Sequence, residues 1–125
     1  MTHLINEITL EEYISKTMIS LGVPAHLKGY RYLRSAILLA ARDMQVVGSV
    51  TKLLYPEIAK IYDTTDRKVE RAIRNAIEIS WERGSTDMFE QFYGYSNQSG
   101  CQRPTNSEYI ANIADQVQLR IRDGR

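Results

Sequence analysis

Arg67, Arg71 and Arg74 recur at intervals of four and three residues, with Lys68, Glu70 and Asn75 interleaved. At about 100° per residue the three arginines share one stripe of a helix, with Lys68 and Asn75 on one flank and Glu70 on the other. These residue types suit the floor of a DNA groove. An arginine fork donates two hydrogen bonds to O6 and N7 of guanine, and a glutamate accepts from the amino group of cytosine. An asparagine pairs with adenine or bonds a phosphate, while lysine more often acts as a point charge on phosphate. Glu78 and Glu82 follow and would repel phosphate, so a DNA footprint would end near Asn75. The same charges also fit a plain solvated face. Asp63–Arg67, Asp66–Glu70–Arg74 and Arg74–Glu78 all stand at i,i+4 spacing, where exposed ion pairs contribute only about a few tenths of a kcal/mol each.

The elements around this stripe decide how it is presented. Val69, Ala72, Ile73, Ala76 and Ser80 form its opposite, core-facing side, which predicts a helix over 65–83 closed by Gly84. Asp63-Thr64-Thr65-Asp66 offers the N-cap. A brief helix starts at Tyr55-Pro56-Glu57, with proline in the first turn and Ile58, Ala59, Ile61 and Tyr62 as its apolar content. A short helix, a tight polar turn and a longer basic helix make a helix-turn-helix over about 56–83.

The remainder is also helical. Thr9 to Glu12 reads as a capping box opening a helix with Leu10, Tyr13, Ile14, Met18 and Leu21 on one face, stopped by Gly22-Val23-Pro24. A second helix is predicted over roughly 29–44 and a third over about 46–54. Residues 85–104, rich in Ser, Gly, Gln and Asn, read as irregular, with Trp81 packing against the 85–95 segment that carries Phe89, Phe92, Tyr93 and Tyr95. Thr105 to Glu108 forms another capping box, opening a helix with Ile110, Ile113, Ala114, Val117 and Ile121 on its stripe. The expected fold is a single all-α domain over 1–125, of about six helices and without a wing.

Composition sets the outer limits. The 125 residues carry 43% hydrophobic and 25% charged side chains and a net charge of +1, so only charge placement can argue for nucleic acid. No apolar run reaches membrane-spanning length. The single cysteine, Cys101, cannot form an internal disulfide and suits a reducing cytoplasm; in its polar loop it reads as an exposed thiol. His3 and His26 lie far apart and outside any metal-ligand spacing, and His26 is expected to cap or pack at the second helix. Tyr30, Tyr32 and Tyr55 could touch phosphate but are better placed for packing. Nothing indicates a catalytic constellation, a metal or a cofactor. The rival to DNA binding is a helical module that binds a protein partner without reading DNA; the apolar stripe of the last helix could serve a dimer or such a partner.

Four segments carry a resemblance: Leu21 to Tyr30, Ser49 to Lys60, Val69 to Glu78, and Pro104 to Glu108. In order and spacing they resemble the DNA-binding effector domain of the sporulation-initiation response regulators, over about residues 10–120. The resemblance implies a six-helix fold that binds double-stranded DNA at a TGTCGAA-type box, often as a tandem homodimer. It places base contacts on Lys68, Glu70, Arg71, Arg74 and Asn75, although the family usually has arginine at the position of Lys68 and histidine at that of Asn75. Arg67 replaces a small polar residue and adds a phosphate contact, beside Thr65 and Lys52. The family's contact surface for RNA polymerase sigma factor resembles Gly84 to Tyr95, implying Thr86, Met88, Glu90 and Tyr93. Gly94 and Tyr95 keep its pattern, whereas Met88, Glu90 and Gln91 depart from it. The length leaves no room for the receiver domain that precedes this effector, and Met1 with a helix capped at Thr9 favours a free-standing effector. Such a form would bind constitutively or compete with a full-length regulator for its boxes.

Overall fold

The computed structural model describes the backbone of residues 2–123 and the side chains of residues 9–121. It contains α1 (Thr2–Ser20), α2 (Lys28–Arg42), α3 (Tyr55–Ile61), α4 (Asp66–Arg83), α5 (Thr86–Tyr93) and α6 (Asn106–Asp123). No strand occurs among the described residues, as expected for an all-α chain.

α2 is the centre of the packing. Leu33, Ala36, Ile37 and Ala40 recur at helical spacing and are fully buried, with α6 against one side of the helix and α4 and α1 against others. Small residues let α2 approach closely. A Cβ added to Gly29 would overlap the carbonyl group of Ala72, so α2 rides on the backbone of α4. Polar bonds lock the same junctions. Ser80 on α4 donates to the carbonyl oxygen of Leu21 at 2.6 Å and shares a 2.7 Å hydrogen bond with the Tyr109 hydroxyl of α6. Gln118 donates to the carbonyl oxygen of Ala41 at 2.9 Å. Tyr30, Tyr32 and Tyr55 are buried, in keeping with packing rather than phosphate contact.

The chain corrects several expectations. α1 begins at Thr2, so Thr9 lies inside a helix and is not its N-cap. No glycine or proline stands between Thr2 and Thr9 to stop propagation, and the helix runs through the capping signal. The 46–54 stretch is not an α-helix. Met44–Ser49 is a 3-10 segment and Val50–Leu54 a π-helical turn that leads directly into α3. β-branched Val46, Val47, Val50 and Thr51 around Gly48 weaken α-helix there, and the Asp43 side chain, accepting from the Gln45 amide at 3.1 Å, caps a tighter turn instead. The sixth α-helix lies within 85–104: α5 is capped by Ser85, whose hydroxyl accepts from the Met88 amide at 3.3 Å, and it buries Phe89. His26 is exposed, and α2 starts after Leu27 with no side-chain cap, so His26 neither caps nor packs. His3 lies outside the residues whose side chains are described.

At the other end, Thr105 and Glu108 form the expected box. The Thr105 amide donates to Glu108 Oε1 at 2.9 Å and the Glu108 amide to Thr105 Oγ1 at 3.1 Å. Ile110, Ile113, Ala114 and Val117 are fully buried, whereas Ile121 is 46% exposed. Most of the apolar stripe of α6 therefore lies in its own core; among the described residues Leu119 and Ile121 keep its carboxy-terminal part exposed. Trp81 meets Phe89 edge-on at 5.1 Å and Tyr95 at 5.9 Å, packing on the 85–95 segment as expected.

Candidate nucleic-acid interface

α3 and α4 meet through four residues, 62–65, whose backbone is tied to both helices. The Thr64 amide donates to the carbonyl oxygen of Ala59 at 2.9 Å and the Asp63 amide to that of Lys60 at 3.4 Å. This is the pair of bonds that closes a Schellman C-cap, with Asp63 in the left-handed position at φ 54°. Aspartate tolerates that conformation better than most residues, because its short polar side chain can bond locally. Two residues on, Thr65 caps α4 by accepting from the Lys68 amide at 3.2 Å. The turn is also held from behind. The Tyr62 hydroxyl shares a 2.7 Å hydrogen bond with Ser35, and its ring lies 5.1 Å from that of Tyr32, both on α2. The helix-turn-helix is thus a rigid corner braced against the central helix.

From this corner α4 presents its amino-terminal half to solvent. Arg67, Lys68, Arg71, Arg74 and Asn75 are exposed, while Val69, Ile73, Ala76, Ile77 and Ser80 are buried. Lys68, Arg71, Arg74 and Asn75 come together along one open groove of about 710 Å³ between α4 and the start of α2. Arg67, Thr65 and Glu70 stand outside that groove, although all are close in sequence. Lys52, on the π-turn before α3, is exposed and also outside it.

The ion pairs choose between the alternatives open in the sequence. Arg74 donates to Glu70 at 3.0 Å, one turn back. Glu78 instead accepts from Arg103 at 3.1 Å, an arginine in the loop before α6. Glu70 therefore steers the Arg74 fork, and the negative charge that ends the basic stripe is partly offset. The carbonyl of Glu70 also accepts from the Asn106 side chain at 3.4 Å, and the same amide donates to the Tyr55 hydroxyl at 2.8 Å. Burial, the largest influence, raises the pKa of Tyr55 and the Asn106 bond opposes it, so the phenol stays neutral and available as acceptor.

α5 sits apart from this surface. Glu90 faces solvent, while Thr86 and Met88 are half-buried, Met88 against the core. The Tyr93 hydroxyl is committed inward, donating to the Tyr109 carbonyl oxygen at 3.1 Å. Cys101 is an exposed thiol. Among the described residues no group of three metal-ligating side chains occurs and no helix is long and apolar enough to cross a membrane.

Local signals did not point to Lys28. It lines the α4 groove from the start of α2, forty residues earlier in the chain, where nothing in its neighbourhood marks it. The family described as the sporulation initiation factor Spo0A C terminal matches residues 14–117. That span is most of the chain, and the chain belongs to this family of helical DNA-binding domains of sporulation transcription factors.

Proposed function

From that membership, we propose that the protein is a sequence-specific transcription regulator that lays the amino-terminal half of α4 in the major groove of a TGTCGAA-like box. One observation carries the reading: Arg71, Arg74 and Asn75 stand exposed on the second helix of a braced helix-turn-helix. Arg71 and Arg74 donate to guanine, with Arg74 aligned by Glu70, whose second oxygen is left to accept from a cytosine amino group. Lys68 and Asn75 meet base edges on the groove flank. Arg67, Lys52 and Thr65 meet phosphate; the Thr65 oxygen accepts from Lys68, leaving its O–H to donate.

In the same reading two copies occupy tandem boxes, and α5 offers sigma factor the exposed Glu90 with the accessible parts of the half-buried Thr86, Met88 and Tyr93. A gel-shift titration on a box-containing duplex beside a scrambled one, at two salt concentrations, tests the proposal. The box should bind more tightly, and both affinities should fall steeply as salt rises. Equal affinity for the two duplexes would contradict base reading, and affinity indifferent to salt would contradict DNA binding altogether.

A further inference from the structure

The groove beside α4 has a second wall, and that wall carries a cation of its own. Lys28, the first residue of α2, is exposed and lines the groove together with Lys68, Arg71 and Asn75 of α4. Its position is fixed by its neighbour. Because a Cβ at Gly29 would overlap the Ala72 carbonyl group, the start of α2 is pressed onto the α4 backbone and cannot drift from it. Lys28 enters no ion pair among the described residues. Two acids, Asp63 and Glu78, also line the groove, and Glu78 is already paired with Arg103.

A helix about 10–12 Å across fills a major groove about 12 Å wide, so whatever packs alongside it faces the phosphates of the bordering strand. We propose that Lys28 is a phosphate-binding residue: with Lys68, Arg71, Arg74 and Asn75 on base edges, the α2 wall of their groove meets the backbone of the bordering strand. The DNA footprint then extends beyond the helix-turn-helix to the central helix of the fold. This inference rests on the DNA reading above, but it concerns a residue outside the helix-turn-helix.

The test measures affinity by fluorescence anisotropy over a range of salt for the wild type, Lys28→Gln and Lys28→Arg, each on a box-containing and a scrambled duplex. Loss of one phosphate contact flattens the slope of log K against log salt by about 0.9. Lys28→Gln should show that change and weaken binding several-fold on both duplexes alike, and Lys28→Arg should restore both. An unchanged slope in Lys28→Gln, or a loss confined to the box duplex, would overturn the assignment. A wild type whose binding ignores salt would overturn the DNA reading itself, an outcome distinct from a wild-type slope that Lys28→Gln leaves intact.

Discussion

Asn106, at the first turn of α6, donates a 2.8 Å hydrogen bond to the hydroxyl of Tyr55, at the first turn of α3, across 51 residues of chain. Its second contact, 3.4 Å to the Glu70 carbonyl oxygen, reaches α4, so one amide straps both helices of the corner to α6. Asn106→Ala leaves the buried Tyr55 hydroxyl without this partner and should cost about 1–3 kcal/mol of stability by chemical denaturation. The double variant Asn106→Ala/Tyr55→Phe should recover part of that loss. If the double variant is no more stable than Asn106→Ala, the bond is not what holds the strap.

Asp63 occupies the left-handed position between α3 and α4. Glycine adopts that conformation freely, whereas a β-branched residue meets it with strain of about 1–2 kcal/mol. Asp63→Gly should therefore match the wild type or exceed it in thermal stability, and Asp63→Val should fall below it. The opposite order would show that the aspartate side chain, not the backbone geometry, holds the turn.

Gly29 should tolerate no side chain. Alanine there forces α2 away from α4, an overpacking defect of about 1–3 kcal/mol. Because the same contact sets the groove, Gly29→Ala should also reduce DNA affinity beyond what its lower stability explains. Measuring affinity well below its melting temperature separates the two effects. Affinity equal to wild type under those conditions would mean that the α2–α4 spacing does not matter for binding.

Alkaline pH should unfold the protein. Burial, the dominant influence, raises the pKa values of Tyr55, Tyr93 and Tyr109. In the unfolded chain these phenols ionise near their ordinary value of about 10, while the folded protein keeps its protons. Above that pH the unfolded state binds fewer protons, so stability declines as pH rises. Denaturation midpoints should be level from pH 7 to 9 as far as these groups are concerned and drop by pH 11. Tyr109→Phe should be less stable at neutral pH, through loss of its bond to Ser80, yet less sensitive to alkali. A wild type with the same midpoint at pH 11 as at pH 9 would contradict this account.

What could be read from the chain alone follows the range of the forces involved. Pro56, Thr65 and the Thr105–Glu108 box act within one turn of their own backbone, so the start of α3, the cap of α4 and the opening of α6 were legible. Periodicity placed Val69, Ile73, Ala76 and Ser80 in the core for the same reason. α5 was not legible, because its surroundings have the polar composition of a loop and its stability comes from burying Phe89 against Trp81 and Tyr109. Thr9 misled because a local cap signal cannot outweigh a helix that simply continues. The choice of Glu70 over Glu78 by Arg74 depends partly on Arg103, whose approach only the tertiary fold brings about. Lys28 beside α4 is a juxtaposition of the same long-range kind.

The central claim is that α4 reads bases rather than merely resting on phosphates. The direct measurement sets Arg71→Ala, Arg74→Ala and Lys68→Ala against a panel of duplexes in which each base pair of the TGTCGAA box is replaced in turn. Each arginine variant should lose about 1–3 kcal/mol on the intact box and become indifferent to the identity of one base pair, while Lys68→Ala keeps the arginines' two preferences intact. Losses spread evenly over every duplex by both arginine variants would show that the arginines bind phosphate only, and would contradict the assignment of α4 as the reading helix.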